Sequence, residues 1–315
     1  MDRKNSISRR DMLKMGVVAG AGLALKDLPA FAQSSQPASL IQRVIPSSGE
    51  RLPIVGIGTA RRYDVGPSVA ERAPLKEVLA RFPELGGKLI DTAPSYGRAE
   101  PVVGDLVADL GSRDQLFLAT KVRKKEKQAG YDELIQSFVN LKTDKIDLIA
   151  VHNLVGIEHM LPLLREWKQE GRVRYVGVST SNARQYPDFI KMMKKEDLDF
   201  IQVNYSILSR KSEEEILPLA KDRGMAVLVN LPYSRGRVFQ RAGTRALPDW
   251  TSEFDVDSWG QFCLKYILSH PSVTCVIPGT AKLTYLEDNL GAARGRMPDA
   301  AMRTRMEQFY DGLPS

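Results

Sequence analysis

Cysteine and histidine are scarce in this chain, whose 315 residues include two cysteines and three histidines. Cys263 and Cys275 do not have C-x-x-C spacing, and the histidines form neither an HExxH motif nor a zinc-finger pattern. The sequence therefore predicts no metal site. Both cysteines lie in apolar sequence and are predicted to be core residues, while a disulfide between them stays open as an alternative in an oxidising compartment.

Nucleic-acid-binding signatures are also lacking, although the net charge is +7. Part of that excess lies within the first 27 residues, so the remainder of the chain is only mildly basic. The basic run KVRKKEK at 121–127 has no interleaved aromatic residues and matches no nucleic-acid-binding motif. We interpret it as a solvated loop, with the exception of Lys121, and expect no nucleic-acid partner.

The apolar run near the N-terminus, at 15–25, is too short to span a bilayer in the ordinary way. It follows SRRDMLK, which contains Arg9 and Arg10, and it precedes the small-x-small pattern Ala-Phe-Ala at 30–32. A pair of arginines, then an apolar run and then a cleavage pattern form the order that is typical of a twin-arginine signal peptide. One alternative is a basic N-terminal segment that is not cleaved from the protein. The other is that the arginine pair is a coincidence.

This pattern divides the chain into three parts. We interpret 1–32 as a twin-arginine signal peptide, 33–40 as a polar linker and 41–315 as the folded domain. The protein is therefore expected to be exported to the periplasm, with the twin-arginine export machinery as a partner. No stable membrane span is expected in the mature chain.

Short apolar runs rich in β-branched residues alternate with segments of helical periodicity after residue 40. The eight apolar runs are at 54–59, 88–91, 116–121, 146–152, 173–179, 199–204, 225–230 and 273–278. The eight helical segments are at 67–86, 98–110, 131–142, 158–170, 182–195, 212–223, 256–269 and 282–292. This alternation predicts an α/β fold, the (β/α)8 or TIM barrel, whose buried parallel strands are continuously apolar.

Three further segments depart from simple alternation. A Ser-Gly turn between extended pieces in RVIPSSGERLPIVG, at 43–56, predicts a β-hairpin before the first barrel strand. Ser212 with Glu215 three residues later is typical of a capping box. The interval 231–255 is longer than a usual βα loop, and a barrel would place it on the catalytic face.

Four polar side chains stand at or just after the ends of predicted strands: Asp91, Tyr96, Lys121 and His152. Taken singly, each has a structural explanation, as a cap, a loop aromatic, a solvated base or a core histidine. A barrel, however, brings its strand ends together at one mouth, which favours a joint function.

These four residues suit proton-coupled hydride transfer to a carbonyl. The alkoxide that forms needs a proton, and the tyrosine pKa of about 10 is too high for efficient donation near neutrality. A neighbouring ammonium lowers that pKa, a carboxylate holds the ammonium, and a histidine orients the substrate oxygen.

DTAPSYG, LATKV and DLIAVHN resemble the aldo-keto reductase motifs around the aspartate and tyrosine, the lysine and the histidine. The resemblance covers nearly the whole mature chain and implies a (β/α)8 reductase that uses a nicotinamide cofactor without a Rossmann domain. It implies that Tyr96 is the proton donor, that Lys121 lowers its pKa, that Asp91 positions Lys121, and that His152 orients a small-molecule carbonyl substrate.

The resemblance also implies cofactor positions. GVSTS and IQVNYS place Ser179, Thr180 and Gln202 at the nicotinamide carboxamide. VIPGTAKLTYLEDNL places Gly279, Thr280 and Lys282 near the ribose phosphate and Asp288 and Asn289 near the adenine, with Thr59 expected near the cofactor.

Two cofactor positions depart from the family. Leu231 stands where many members have a tyrosine that stacks on nicotinamide, and Tyr233 is nearby but out of step. Tyr285 stands where many members have an arginine for the 2′-phosphate. Lys282 supplies a charge there, so NADP is the predicted cofactor and NAD is possible.

Other functions stay open at this point. An exported cofactor-binding sensor or accessory subunit would keep the barrel with little catalysis. An isomerase or hydrolase would need a metal cluster or carboxylate pair that the sequence does not show. VGIGTAR at the first strand has Arg61 in place of the third glycine of a dinucleotide fingerprint. Trp250, Tyr63 and Phe239 are candidates for lining a pocket.

Overall fold

The computed structural model describes residues 39–314, so the predicted signal peptide and nearly all of the linker lie outside the described residues. The strands are β1 (Gln42–Val44), β2 (Arg51–Pro53), β3 (Ile57–Gly58), β4 (Leu89–Asp91), β5 (Phe117–Val122), β6 (Ile146–His152), β7 (Val173–Ser179), β8 (Phe200–Asn204), β9 (Ala226–Asn230) and β10 (Cys275–Val276). The helices are α1 (Val69–Glu84), α2 (Ala99–Leu110), α3 (Lys127–Leu141), α4 (Ile157–Gln169), α5 (Tyr186–Lys195), α6 (Ile216–Asp222), α7 (Arg237–Ala242), α8 (Trp259–Leu268), α9 (Leu283–Gly291) and α10 (Ala300–Asp311).

The eight strands β3 to β10 form one parallel sheet in which each strand pairs with the next along the chain. The first and last strands meet through parallel bridges from Val55 to Val276 and from Gly58 to Gly279, which close the sheet. At this seam a Cβ on Gly58 would lie 2.7 Å from the Ile277 carbonyl oxygen, so the close approach requires glycine. The predicted (β/α)8 barrel is confirmed.

The barrel has two apolar layers because its strands are buried on both faces. The inner layer fills the barrel with side chains such as Leu148, Phe200 and Leu228. The outer layer, which includes Ile149 and Val151 of β6, packs under the surrounding helices. Alternate residues of one strand therefore serve different layers.

The predicted β-hairpin is also confirmed, since β1 and β2 pair antiparallel with Arg43 opposite Leu52. Ile45 and Leu52 join the inner layer at the N-terminal ends of the strands. The Tyr175 hydroxyl adds a hydrogen bond of 2.7 Å to Ser48 in the turn. The hairpin therefore covers one end of the barrel and leaves the opposite end for a site.

The long interval 231–255 contains α7 and a 3₁₀ segment at Asp249–Phe254. One expectation for a neighbouring loop is wrong. The capping box at Ser212 does not form: its hydroxyl donates to the Asn204 carbonyl oxygen at 3.1 Å, and α6 begins at Ile216. Ser212 thus closes the loop after β8 instead of capping the next helix.

Both cysteines are buried free thiols, as predicted for core residues, and they form no disulfide. Burial raises the pKa of the Cys263 thiol to about 12. Within residues 39–314, none of the helices combines the length and the apolar character needed to cross a membrane.

Candidate active site

The four predicted catalytic side chains come together at the C-terminal ends of β4, β5 and β6. The Lys121 Nζ donates to both carboxylate oxygens of Asp91 and to the Thr92 carbonyl oxygen, each at 2.8 Å. It lies 4.9 Å from the centroid of the Tyr96 ring. The Tyr96 and His152 rings meet edge to face, with centroids 6.2 Å apart. One ion pair and two rings therefore share a small volume.

Strand register explains this convergence. Asp91 lies opposite Ala119 on β5, two residues before Lys121, so the two charged side chains leave neighbouring strands on the same face. The Thr59 hydroxyl and backbone N–H both donate to the Asp91 carbonyl oxygen at 3.0 Å, which fixes the end of β4.

The loop that carries Tyr96 is held by a close contact. Gly97 has φ +64, and a Cβ there would lie 2.4 Å from the Asp64 carboxyl group. The same carboxylate accepts a hydrogen bond of 3.0 Å from the Arg98 backbone N–H. Since a side chain at position 97 would displace Asp64, glycine is required beside the tyrosine.

Burial dominates the ionisation of Tyr96. Desolvation raises the pKa of this phenol, the positive charge of Lys121 opposes the rise, and the negative charge of Asp91 adds to it. The net direction is opposite to the lowering expected from the sequence, although Lys121 acts in the expected sense. The reason is that the sequence shows the neighbouring charge and does not show the depth of burial.

Lys121 remains an ammonium in this setting. Its side chain is 2% exposed, and burial alone acts against its charge. The carboxylate of Asp91 and its hydrogen bonds outweigh that effect and raise the pKa of Lys121. A permanent positive charge therefore lies beside the phenol.

His152 is neutral near physiological pH. Burial lowers its pKa to about 3, and the positive charges of Lys121 and Arg123 act in the same direction. Its Nδ1 atom is buried and has no hydrogen-bond partner within the described residues. A neutral imidazole can donate one hydrogen bond and accept another, which suits contact with a carbonyl oxygen.

A cavity of about 1100 Å³ opens above these residues. All four predicted catalytic residues line it, together with these predicted cofactor positions: Ser179, Thr180, Gln202, Leu231, Gly279, Asp288 and Asn289. Such a volume exceeds that of many small-ligand pockets and accommodates an extended ligand.

Three predicted cofactor residues do not line the cavity. Thr59 is fully buried behind Asp91, and the Thr280 hydroxyl is buried in a hydrogen bond of 3.1 Å to the Pro278 carbonyl oxygen. Lys282 is exposed, with its Nζ 5.8 Å from the centroid of the Tyr285 ring. Both threonine hydroxyls are instead engaged by backbone carbonyl oxygens, those of Asp91 and Pro278.

The cavity fits a polar ligand at its floor. Within the described residues, the buried Ser179 Oγ, Asn230 Oδ1 and His152 Nδ1 atoms have no hydrogen-bond partner. Buried polar atoms are normally paired, so these three indicate a bound group with its own donors and acceptors, such as a carboxamide. Ser179, one of the residues that the resemblance assigns to nicotinamide, therefore fits that group.

The predicted adenine residues are partly occupied by protein contacts. Asn289 accepts from the Tyr233 hydroxyl at 2.5 Å and donates to the Thr280 hydroxyl at 3.0 Å. Asp288 accepts from Ser258 at 2.9 Å and from Gln261 at 3.0 Å. These residues shape this part of the cavity wall as much as they offer groups to a ligand.

Several lining residues were not predicted from the sequence. Arg61, Arg62 and Arg235 line the cavity and are exposed. Arg61 and Arg235 have φ of 62 and 60, in the left-handed region that non-glycine residues seldom adopt. Their position in the loops that follow β3 and β9 is the signal that would have found them, since every loop that follows a barrel strand reaches the same mouth.

Of the three aromatic residues that were candidates for lining a pocket, one lines the cavity and two do not. Phe239 lines the cavity, with its ring 4.9 Å from that of Tyr233. Tyr63 is fully buried outside it, and Trp250 packs edge to face against Phe309, so both expectations are wrong. No group of three or more metal-ligating side chains occurs in the part of the chain that the structure describes.

Comparisons with known proteins agree with this geometry. The profile of the aldo/keto reductase family matches residues 55–309. The chain is 31% identical over 211 residues to aldo-keto reductase YhdN of Bacillus subtilis, a match that covers 61% of this chain and 62% of that protein. It is 25% identical over 281 residues to the NADH-specific methylglyoxal reductase of Escherichia coli, which covers 72% and 85%.

A solved structure shows the same fold. Aldo-keto reductase AKR11C1 of Bacillus halodurans, in its holo form, is 26% identical, with a TM-score of 0.67 over 86% of this chain and 96% of that chain.

Proposed function

The chain belongs to the aldo/keto reductase family, and from this premise we propose that it reduces an aldehyde or ketone to an alcohol with a reduced nicotinamide cofactor and with Tyr96 as the proton donor. The observation that carries the proposal is the buried Lys121–Asp91 pair beside Tyr96 and His152 at the floor of the cavity.

Hydride transfer to the carbonyl carbon is the chemistry that the cofactor supplies when bound. Negative charge then develops on the carbonyl oxygen, and Tyr96 gives its phenolic proton to that oxygen. The ammonium of Lys121 stabilises the phenolate that remains, and Asp91 holds the ammonium in place. The neutral His152 donates a hydrogen bond to the substrate oxygen and orients it.

The cofactor's amide end is assigned to Ser179, Thr180 and Gln202. The unpaired Ser179 hydroxyl supports this assignment. The opposite end is assigned to Gly279, Asp288 and Asn289, which line the same cavity.

We assign NADP in preference to NAD on the basis of charge. Lys282 does not line the cavity itself, but its Nζ lies 5.8 Å from the ring of Tyr285, which does. It directly precedes α9, and its ammonium together with the N–H groups at the helix start favours a phosphate beside that part of the cavity wall. One relative is named NADH-specific, so the preference rests on this chain's own residues.

The test is the Tyr96→Phe variant of the purified mature protein. Loss of the proton donor is expected to lower kcat by about 10²- to 10⁴-fold while NADPH affinity, measured by fluorescence titration, stays within about twofold, since the ring remains. Tyr131→Phe, at a half-exposed tyrosine on α3, is the matched control. Full activity of Tyr96→Phe would sink the mechanism.

The same titration compares NADPH with NADH and is expected to favour NADPH. A wild-type protein that binds nucleotide and turns over none of a panel of aldehydes would support the sensor or accessory role instead.

Export to the periplasm by the twin-arginine route is part of the proposal. It is supported by SRRDMLK, the apolar run at 15–25 and the Ala-Phe-Ala pattern. Replacing Arg9 and Arg10 by lysine in the full chain is expected to keep the protein in the cytoplasmic fraction. Unchanged fractionation of that variant would refute this route.

A further inference from the structure

Asn230, the last residue of β9, has a side-chain amide of which one end is bonded and the other is unpaired. Its Nδ2 donates to the Thr180 carbonyl oxygen at 3.3 Å. Its Oδ1 is buried and has no hydrogen-bond partner among residues 39–314. The reverse orientation would set two acceptors against each other, because the side-chain oxygen would then meet the Thr180 carbonyl oxygen. The amide is therefore fixed, and it leaves one buried acceptor for a donor that the protein does not supply.

This acceptor lies at the cavity beside a second unpaired group. Strand β8 lies between β7 and β9, so the bond from Asn230 spans the end of β8 and reaches the residue that follows β7. Ser179, the last residue of β7, directly precedes Thr180, and its buried Oγ has no partner within the described residues either. Both Ser179 and Asn230 line the cavity. A ligand that reaches this part of the cavity therefore meets one free hydroxyl and one free acceptor.

The Thr180 hydroxyl, in contrast, is already engaged by the protein. It donates to Gln185 Oε1 at 2.7 Å and accepts from the Asn182 backbone N–H at 3.1 Å. Thr180 is fully buried, and its only hydroxyl proton is used to hold the loop that follows β7. Of the polar side chains at this point, Ser179 and Asn230 are therefore the two with hydrogen-bonding capacity to spare.

A primary carboxamide is the group that matches this pair. It has one carbonyl oxygen, which accepts, and one NH₂ group, which donates. The Ser179 hydroxyl can donate to that oxygen while Asn230 Oδ1 accepts from the NH₂ group. A methyl ketone would leave Asn230 Oδ1 unpaired, and a carboxylate would bring a negative oxygen against it. The two side chains together therefore distinguish a primary amide from analogues of the same shape.

We propose that Asn230 accepts a hydrogen bond from the carboxamide NH₂ group of the nicotinamide cofactor and makes the protein selective for that amide. This assignment rests on the proposed reductase function and adds to it a cofactor-binding residue that was not predicted from the sequence. Leu231, the next residue, has no aromatic ring to stack on nicotinamide. The hydrogen bond at Asn230 is then the specific contact that the end of β9 offers to the cofactor.

The probes are NADP⁺ and its 3-acetylpyridine analogue, in which a methyl group replaces the NH₂ group of the carboxamide and the carbonyl is kept. Isothermal titration calorimetry of the purified mature protein measures the Kd of each nucleotide without turnover. The wild type is expected to bind NADP⁺ about 10- to 100-fold more tightly, because the analogue leaves a buried acceptor unpaired. Since no carbonyl compound is present, the result does not depend on the identity of the substrate.

Asn230→Leu keeps the side-chain volume and removes the acceptor. It is expected to bind NADP⁺ about tenfold or more weakly than the wild type and to bind the two nucleotides within about threefold of each other. Loss of the bond to Thr180 affects both nucleotides alike and cancels in this ratio. Ser179→Ala should weaken both nucleotides equally, since both keep the carbonyl oxygen to which Ser179 donates.

Asn153→Gly is the matched control. The Asn153 Oδ1 is also buried without a partner within the described residues, but Asn153 does not line the cavity. Glycine suits its φ of 55, so the backbone of the loop is kept. This variant is expected to retain the wild-type preference for NADP⁺. Thermal melting of each variant verifies that it is folded.

Two results overturn this inference and leave the proposed function intact, because the nucleotide still binds in both. Equal affinity of the wild type for NADP⁺ and the analogue would show that the site does not recognise the NH₂ group. A preference for NADP⁺ that persists in Asn230→Leu would assign the NH₂ group to another residue. A wild type that binds neither nucleotide, nor NAD⁺, would reject the inference and the proposed function together.

Discussion

Lys121 illustrates how a single buried charge is held in this protein. Removing an ammonium from water costs several kcal/mol, and this cost is offset only when the partners are close and complete. Here three oxygens surround the Nζ atom at 2.8 Å, two from Asp91 and one from Thr92. An apolar pair of similar volume would serve stability at least as well, so the function of the pair lies in the charge it places beside Tyr96.

Asp91→Asn is therefore expected to destabilise the protein by about 3–5 kcal/mol, because it leaves the ammonium buried without a counter-charge. Adding Lys121→Met in the same chain should recover most of that loss. The two single variants, Asp91→Asn and Lys121→Met, and the double variant should all be inactive. Urea unfolding of the two single variants and the double variant measures the coupling. Equal unfolding midpoints for Asp91→Asn and wild type would show that the pair is not energetically linked.

The positions of the site residues could be predicted from the sequence better than their ionisation and their hydrogen-bond partners. Asp91, Lys121 and His152 could be placed because the ends of parallel strands in a barrel share one mouth. The raised pKa of Tyr96 could not, since it depends on burial by distant parts of the chain. Nor does the sequence show that Asn289 is already bonded to Tyr233, a contact between residues 56 positions apart.

At the scale of elements, the last helix supports the wall of the cavity. The Tyr310 hydroxyl of α10 donates to the Val238 carbonyl oxygen of α7 at 2.8 Å. Arg241 of α7 donates in return to the Asp311 carbonyl oxygen at 2.7 Å. Since α7 carries Phe239, which lines the cavity, α10 supports a side chain of the cavity wall through these hydrogen bonds. The six residues of α7 are too few to show a helical period, so no sequence pattern indicates this support.

Tyr310→Phe removes that hydrogen bond and is expected to cost about 1 kcal/mol. Burial raises the pKa of Tyr310 to about 12, so the hydroxyl is a donor over the whole practical pH range. Hydrogen exchange should become faster over 237–242, and the KM values should rise more than kcat falls. Tyr131→Phe provides the comparison, and unchanged exchange in α7 would contradict the supporting role of α10.

For the molecule as a whole, two of the three histidines are held in the neutral form, His152 buried and His270 half-buried. Burial lowers the pKa of His152 to about 3 and that of His270 to about 4, and the nearby Glu213 only partly offsets the effect at His270. The unfolded chain has histidine pKa values of about 6.5, so below that pH it binds protons that the native state does not. The contribution of these two histidines to stability is therefore complete above about pH 6.5 and is lost as the pH falls toward 4 for His270 and toward 3 for His152.

The expected loss is at most about 1.4 kcal/mol per pH unit for each of the two histidines. His270→Asn should reduce the slope of stability between pH 6.5 and 4.5, because asparagine does not bind a proton in that range. Its side chain can still accept the hydrogen bond that Ser272 N–H donates to the ring at 3.2 Å, so the local structure is kept. Urea unfolding over that pH range measures the slope. His159→Asn, at an exposed histidine, should leave it unchanged, and an unaltered slope in His270→Asn would count against this origin of acid sensitivity.

The support of α7 by α10 also sets an order of events during synthesis. The ribosome makes Phe239 and Tyr233 about seventy residues before Tyr310, whose hydroxyl holds their segment in place. A nascent chain can therefore pair its barrel strands while one wall of the cavity still lacks its hydrogen bonds to α10. Firm capture of an extended ligand has to wait until the last helix has been released and has docked.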